Sequence, residues 1–256
     1  MKIGVLGAGS MGIGIAQIAA SFGHQVILCD NSAAALDHSM AKLTKIMNRL
    51  VQKQRITEPQ AQQLLGNIQT TSMLSEFNDC GLVVEAIIEN LEIKQTVFQK
   101  MEEVVTPQCI LASNTSSLSV TAIAAACKHP NRVVGVHFFN PAPLMKLVEI
   151  IPAVQTDTAV VNTARQLVDS WQKTTVLAKD TPGFIVNRVA RPFYGEALRI
   201  LEEGIADAAT IDWAMTELGG FRMGPFTLMD YIGNDVNYVV TETVFKAFYY
   251  DPRYKP

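Results

Sequence analysis

The sequence predicts an α/β fold, a doubly wound sheet followed by a small all-helical C-terminal domain, and three observations predict it. A glycine-rich turn joins an apolar strand to a helix within the first twelve residues. Short apolar runs then alternate with amphipathic helical segments as far as Leu177. From Gly183 onward helical periodicity continues, but no good strand pattern returns.

The opening unit is the most specific. Lys2-Ile3-Gly4-Val5-Leu6 reads as a buried strand. It runs into Gly7-Ala8-Gly9-Ser10-Met11-Gly12, a helical stretch from Ile13 to Phe22, and a second strand, Gln25 to Cys29, ending at Asp30. This is the dinucleotide-binding fingerprint in its required setting, and it makes the predicted sheet Rossmann-like. Gly7 permits the tight turn, Gly9 lets the backbone approach a pyrophosphate, and Gly12 allows close helix–strand packing. The helix entered through Ser10 and Met11 aims N–H groups and the positive end of its dipole at the phosphates. Asp30 can accept hydrogen bonds from both ribose hydroxyls of NAD, and its charge repels the extra phosphate of NADP. A ligand-free glycine turn is the minor alternative.

The later elements follow in order. A long helix covers Ser32 to Lys53, and another opens at Thr57-Glu58-Pro59, with Thr57 as N-cap and Pro59 in the first turn. Ile68–Thr71 reads as a short edge strand and Leu82–Ala86 as a buried parallel one. A helix from Leu91 to Val105 precedes the strand Cys109–Ala112. Arg132–His137, Leu147–Ile150 and Thr174–Leu177 complete a parallel sheet with helices on both faces. Lys179-Asp180-Thr181-Pro182-Gly183 breaks the regularity, dividing a nucleotide-binding domain, 1–180, from a helical domain, 181–256. Candidate helices there are Phe184–Glu203, Asp207–Leu218 and Asn234–Phe248, punctuated by Pro225 and Gly233.

Bulk properties narrow the function classes. With 256 residues the chain can bury an ample core. Its 48% hydrophobic and 18% charged residues describe a globular protein, and a net charge of −3 gives no reason to expect nucleic acid or an anionic membrane as partner. No apolar run is long enough to span a bilayer, and the first residues enter a strand at once, leaving no room for a signal or transit peptide. Cys29, Cys80, Cys109 and Cys127 show neither paired nor metal-ligand spacing, so no metal is expected. Reduced thiols in a cytoplasmic protein are.

Several residues can carry chemistry. His137 lies where a strand opens into the loop Phe138-Phe139-Asn140-Pro141, and ligands of open α/β sheets bind at such strand ends. Glu149 sits in an otherwise apolar run, where a carboxylate needs a partner. An imidazole would serve, and the carboxylate would fix its tautomer. The alternatives are a satisfied core histidine and an exposed edge-strand acid. Ser113–Ser119 is rich in donors, as a substrate loop or as a helix-capping turn. Glu89, Asn90 and Lys94 follow a strand end and either face a cofactor or are solvated. Asn187 stands among apolar neighbours and needs a partner, from another helix or a substrate.

Taken together, these stretches resemble the 3-hydroxyacyl-CoA dehydrogenase family over nearly the whole length. The matching segments are Gly7–Gly12, Val84–Ala86, Ala112–Ser117, His137–Pro141, Met145–Glu149, Asp180–Arg188 and Met223–Phe226. The resemblance implies that His137 is the general base acting on the substrate's 3-hydroxyl and Glu149 its carboxylate partner. It implies that Ser116 and Asn187 position the substrate near the reacting oxygen. Glu89, Lys94, Ser116 and Asn140 match NAD-contacting positions beside Asp30. Lys53 matches a lysine that meets the phosphates of coenzyme A, with Arg49 one turn earlier as a helper. Homodimerisation through the helical domain is also implied. Family members continue past the equivalent of Pro256 with a helix and a basic, glycine-rich tail, so the helical domain reads here as truncated or as lacking that tail.

The expected function is NAD-dependent, reversible oxidation of a short (3S)-3-hydroxyacyl-CoA such as 3-hydroxybutyryl-CoA. The runner-up is 3-hydroxyadipyl-CoA, with Arg222 as a partner for a distal carboxylate or as a plain exposed arginine. A non-catalytic NAD-binding protein and a dehydrogenase of free hydroxy acids are the readings from other classes; the second would not need Lys53.

Overall fold

The computed structural model describes residues 1–256, which fold as two compact units, Met1–Asp180 and Thr181–Pro256. The first alternates strand and helix: β1 (Lys2–Leu6), α1 (Ser10–Ser21), β2 (Gln25–Cys29), α2 (Ala33–Gln52), α3 (Glu58–Gly66), β3 (Ile68–Thr71), β4 (Leu82–Glu85), α4 (Leu91–Val104), β5 (Ile110–Ser113), α5 (Val120–Ala124), β6 (Val133–Phe138), β7 (Leu147–Pro152), α6 (Thr158–Ser170) and β8 (Thr174–Leu177). They form one eight-stranded sheet in the order β3-β2-β1-β4-β5-β6-β7-β8.

The strands β1 to β6 are parallel, as apolar runs separated by helices require. The last two strands depart from the expected all-parallel sheet: β7 runs antiparallel to β6, and β8 is parallel to β7. The connection 139–146 is too short for a crossover helix, so the chain can only turn back on itself.

The core follows from side-chain type. Ile3 and Val5 of β1, Leu28 of β2, Val84 of β4 and Ala112 of β5 pack in one cluster with Ile15, Ala16, Ile18 and Ala19 of α1. Each fully buried aliphatic side chain contributes roughly 1.5–3 kcal/mol relative to exposure. At the start of α3 the Thr57 N–H donates to Gln60 Oε1 at 2.8 Å and the Gln60 N–H donates to Thr57 Oγ1 at 3.4 Å. This reciprocal pair satisfies two donors that the helix itself leaves unpaired.

The second unit holds α7 (Val186–Glu202), α8 (Ala208–Trp213), which runs into a π-helical turn at Ala214–Leu218, α9 (Pro225–Ile232) and α10 (Asn234–Ala247). Two expectations change. The predicted helix 207–218 is regular only in its first half, and α9 occupies a stretch that reads locally as punctuation. Pro225 starts α9, and the Asp212 carboxylate of α8 accepts from the Phe226 and Thr227 N–H groups, both at 2.8 Å. The cap therefore comes from another helix, where local sequence cannot show it.

Candidate active site

Parallel strands bring their C-terminal ends to one edge, and the order of the strands reverses between β1 and β4. A ligand crevice is expected there. A cavity of about 730 Å³ opens at this place, bounded by Gly7, Gly9, Asp30, Asn31, Ile87 and Ile88 among others. Gly7 has φ +104°, and a Cβ there would lie 2.5 Å from the Ala86 carbonyl oxygen. A Cβ on Gly12 would lie 1.7 Å from the Gly7 oxygen, so no side chain fits between α1 and the turn. A Cβ on Gly9 would meet nothing within 4 Å, leaving open space above the N-terminus of α1. Ser10 and Met11 form the first turn there. The Asp30 carboxylate is oriented by two backbone donors, the Ala8 N–H to Oδ2 at 2.7 Å and the Ser32 N–H to Oδ1 at 2.9 Å, and it borders the cavity. A carboxylate has about four acceptor sites, so hydroxyls can still be bound. These residues fit a dinucleotide whose pyrophosphate lies on the helix N-terminus.

The loops after β4 and β5 are tied together by charge. Glu85, at the end of β4, is fully buried; its Oε1 accepts from Lys94 Nζ at 2.5 Å and from the Ile87 N–H at 2.8 Å, and its Oε2 from Ser113 Oγ at 2.7 Å. Lys94 Nζ also lies 3.2 Å from Glu89. Lys94 is only 1% exposed, so it is neither solvated nor on the cleft surface but bound between two carboxylates. Glu89 in turn accepts from Thr115 Oγ1 at 2.6 Å and from the Ser116 N–H at 2.9 Å. Burial alone would raise the Glu89 carboxyl, but the Lys94 ammonium and the Thr115 and Ser116 hydrogen bonds outweigh it and hold the group below its usual range. Glu85 is absent from the sequence-based candidates. Like Glu149, it is a carboxylate in an otherwise apolar run and needs a partner.

His137 and Glu149 face each other directly in the antiparallel register of β6 and β7. Both are buried, and His137 Nδ1 lies 2.7 Å from Glu149 Oε2. The Phe139 ring packs tilted against the imidazole, with centroids 4.5 Å apart and planes at 54°. Asn140 is exposed in the loop that follows. Asn114 Oδ1 accepts from the Phe138 N–H at 2.9 Å, pinning the end of β6 to the loop after β5. Glu149 is therefore not an exposed edge-strand acid but a buried carboxylate facing the His137 imidazole.

The model of the 3-hydroxyacyl-CoA dehydrogenase NAD-binding domain matches residues 2–181, and that of the family's C-terminal domain matches residues 183–256. The chain belongs to the 3-hydroxyacyl-CoA dehydrogenase family. It is 46% identical over 254 residues to a 3-hydroxyadipyl-CoA dehydrogenase of Escherichia coli, covering 99% of this chain and 54% of that protein. It thus spans about half the length of that relative. It is 40% identical to a probable 3-hydroxybutyryl-CoA dehydrogenase of Deinococcus radiodurans, of which it covers 91%. Among solved structures, a 3-hydroxybutyryl-CoA dehydrogenase of E. coli superposes with a TM-score of 0.97 at 46% identity, over all of this chain and 54% of that one. No helix is long and apolar enough to cross a membrane.

The remaining candidates of this 3-hydroxyacyl-CoA dehydrogenase family member lie on or beside helices, except Arg222, which is in the bend before α9. Arg49 and Lys53 end α2 one turn apart and are exposed. In the second unit, Asn187 is half-buried in the first turn of α7, and its carbonyl accepts from Arg191 Nε at 3.2 Å. Arg222 is exposed.

Proposed function

We propose that this chain is an NAD-dependent dehydrogenase that interconverts short (3S)-3-hydroxyacyl-CoA and 3-oxoacyl-CoA thioesters, with 3-hydroxybutyryl-CoA as the simplest substrate. The observation that carries this reading is the buried His137–Glu149 pair, at the strand edge that also holds the dinucleotide cleft of the same unit.

A secondary alcohol is a very weak acid, so its oxidation needs a base that removes the hydroxyl proton as the C3 carbonyl forms. The Glu149 carboxylate, 2.7 Å from His137 Nδ1, would hold the proton on that nitrogen and make Nε2 the basic one. In the reverse direction the imidazolium returns the proton to the oxygen, and the carboxylate stabilises the cation. When bound, NAD supplies the hydride acceptor. Asp30 holds its ribose, and the turn Gly7–Gly12, with Ser10 and Met11, takes its pyrophosphate. Glu89, Ser116 and Asn140 line the nicotinamide side, while Lys94 and Glu85 act behind Glu89 as positioning residues. Ser116 and Asn187 are the substrate-positioning residues that the family resemblance implies. Arg49 and Lys53 receive the phosphates of coenzyme A, and the helical unit supplies the acyl cleft and a homodimer face.

The test follows absorbance at 340 nm with acetoacetyl-CoA and NADH. His137→Gln should lower turnover by about 10²–10⁴-fold while NADH still binds. Near-parental turnover in that variant would remove the base assignment, and no turnover by the parent would remove the reading.

A further inference from the structure

One lysine of the first unit is turned back onto the backbone of a loop. Lys173, in the turn between α6 and β8, is half-buried. Its Nζ donates to the Ala142 carbonyl at 2.7 Å, the Met145 carbonyl at 2.8 Å and the Pro143 carbonyl at 3.3 Å. An ammonium has three N–H donors, so this one loop takes all of them. None of the molecule's ion pairs includes Lys173, and burial pushes its pKa down with no carboxylate to oppose the shift. A lysine ordinarily leaves its head group in water and keeps its rotamer freedom.

The loop so held is the connection 139–146, which joins the strands carrying His137 and Glu149. β7 runs back from the edge where β6 ends, and β8 is parallel to β7, so Lys173 lies at that same edge. The loop's own bonds close on the Pro141 carbonyl, which accepts from the Leu144 and Met145 N–H groups at 3.0 and 3.1 Å. The carbonyls of Ala142, Pro143 and Met145 are left to the lysine. Ala142 is buried beside α1, where a Cβ on Gly14 would lie 3.2 Å from the Ala142 Cβ and from Pro143 Cδ. At the start of the loop Phe139 packs on the imidazole, and Asn140 follows it. The loop therefore runs from the His137 ring to the helix assigned to the pyrophosphate, and the ammonium fixes its middle.

We propose that Lys173 is a positioning residue of the dehydrogenase. By gathering three carbonyls of the 139–146 loop onto one ammonium, it holds Phe139 and Asn140 where the His137 base and the nicotinamide need them. This rests on the reading above, in which His137 is the base and Asn140 lines the nicotinamide side. The lysine acts through the loop and not on the reacting atoms.

The experiment replaces Lys173 by methionine, which keeps an aliphatic stem and removes every donor. Acetoacetyl-CoA reduction is followed at a temperature where the variant's far-UV circular dichroism is native. Lys173→Met should lower kcat by about 10- to 100-fold, the cost of a slightly misplaced reacting group. The Kd for NADH should stay within about threefold of the parent's, because Asp30 and the turn Gly7–Gly12 are not part of the loop. A purely structural lysine would lower the melting temperature and leave the kcat of the folded variant unchanged, which overturns the proposal. So does a loss of NADH affinity as large as the loss of kcat. Lys173→Gln, whose amide still donates two N–H bonds, should fall between methionine and parent. It also covers the case in which the methionine variant does not fold: a kcat lowered by at least about threefold is then expected, and a parental kcat overturns the proposal. Failure of the parent itself to reduce acetoacetyl-CoA would instead overturn the dehydrogenase reading.

Discussion

At the residue scale the pairing of His137 with Glu149 depends on strand direction. Directly opposed residues of an antiparallel pair point to the same face, which sets the imidazole and carboxylate edge to edge. The pairing was legible because an acid in an apolar run asks for a partner, and a histidine stood at a strand end. Glu85 obeys the same rule but has its partner, Lys94, nine residues on, across a loop whose course local sequence does not specify. Lys173 was illegible for the same reason, since its partners lie in the loop before β7. Glu89 gives a pH prediction. Its folded-state pKa is depressed below 4.5, so its contribution is present above that value and is lost as pH falls through the lower folded value. Glu89→Gln should unfold at lower urea than the parent at neutral pH, and the gap should close as acid protonates the Glu89 carboxylate. A gap independent of pH would mean that the Lys94 pair does not hold this loop.

At the element scale the glycine turn divides into positions with different duties. Gly12 is required by the fold, because a Cβ there would collide with the Gly7 carbonyl. Gly9 is not, since its Cβ would enter open space, the space assigned to the pyrophosphate. Gly12→Ala should therefore lower both the melting temperature and NADH affinity. Gly9→Ala should keep the parental melting temperature and still lose NADH affinity by about tenfold or more, read by nucleotide fluorescence titration. Parental NADH binding by Gly9→Ala would place the phosphates elsewhere. Strands and helices from β1 to α4 were readable because their signals are local: apolar runs, N-caps and glycine. The reversal at β7 was readable only from the short connection 139–146, and α9 not at all, because its cap is Asp212 on α8.

At the scale of the whole molecule, every cysteine is buried and unpaired. Burial pushes the Cys29 and Cys127 thiols up to about 11 and those of Cys80 and Cys109 to about 12. These buried thiols are apolar filling of the first unit, not nucleophiles. An aromatic disulfide reagent at about pH 8 should label none of the four in the native protein and all four in denaturant. Rapid native labelling of any one would contradict its placement in the core. Composition predicted this globular character, and periodicity predicted where strand gives way to helix; neither predicts how side chains from separate elements act together. A double-mutant cycle on kcat tests that joint action in the His137–Glu149 pair. If His137 and Glu149 work as one base, Glu149→Gln should slow turnover, and the double variant should be no slower than His137→Gln alone, to within about threefold. Fully multiplicative losses from the two substitutions would show that the two groups act independently and do not form one base.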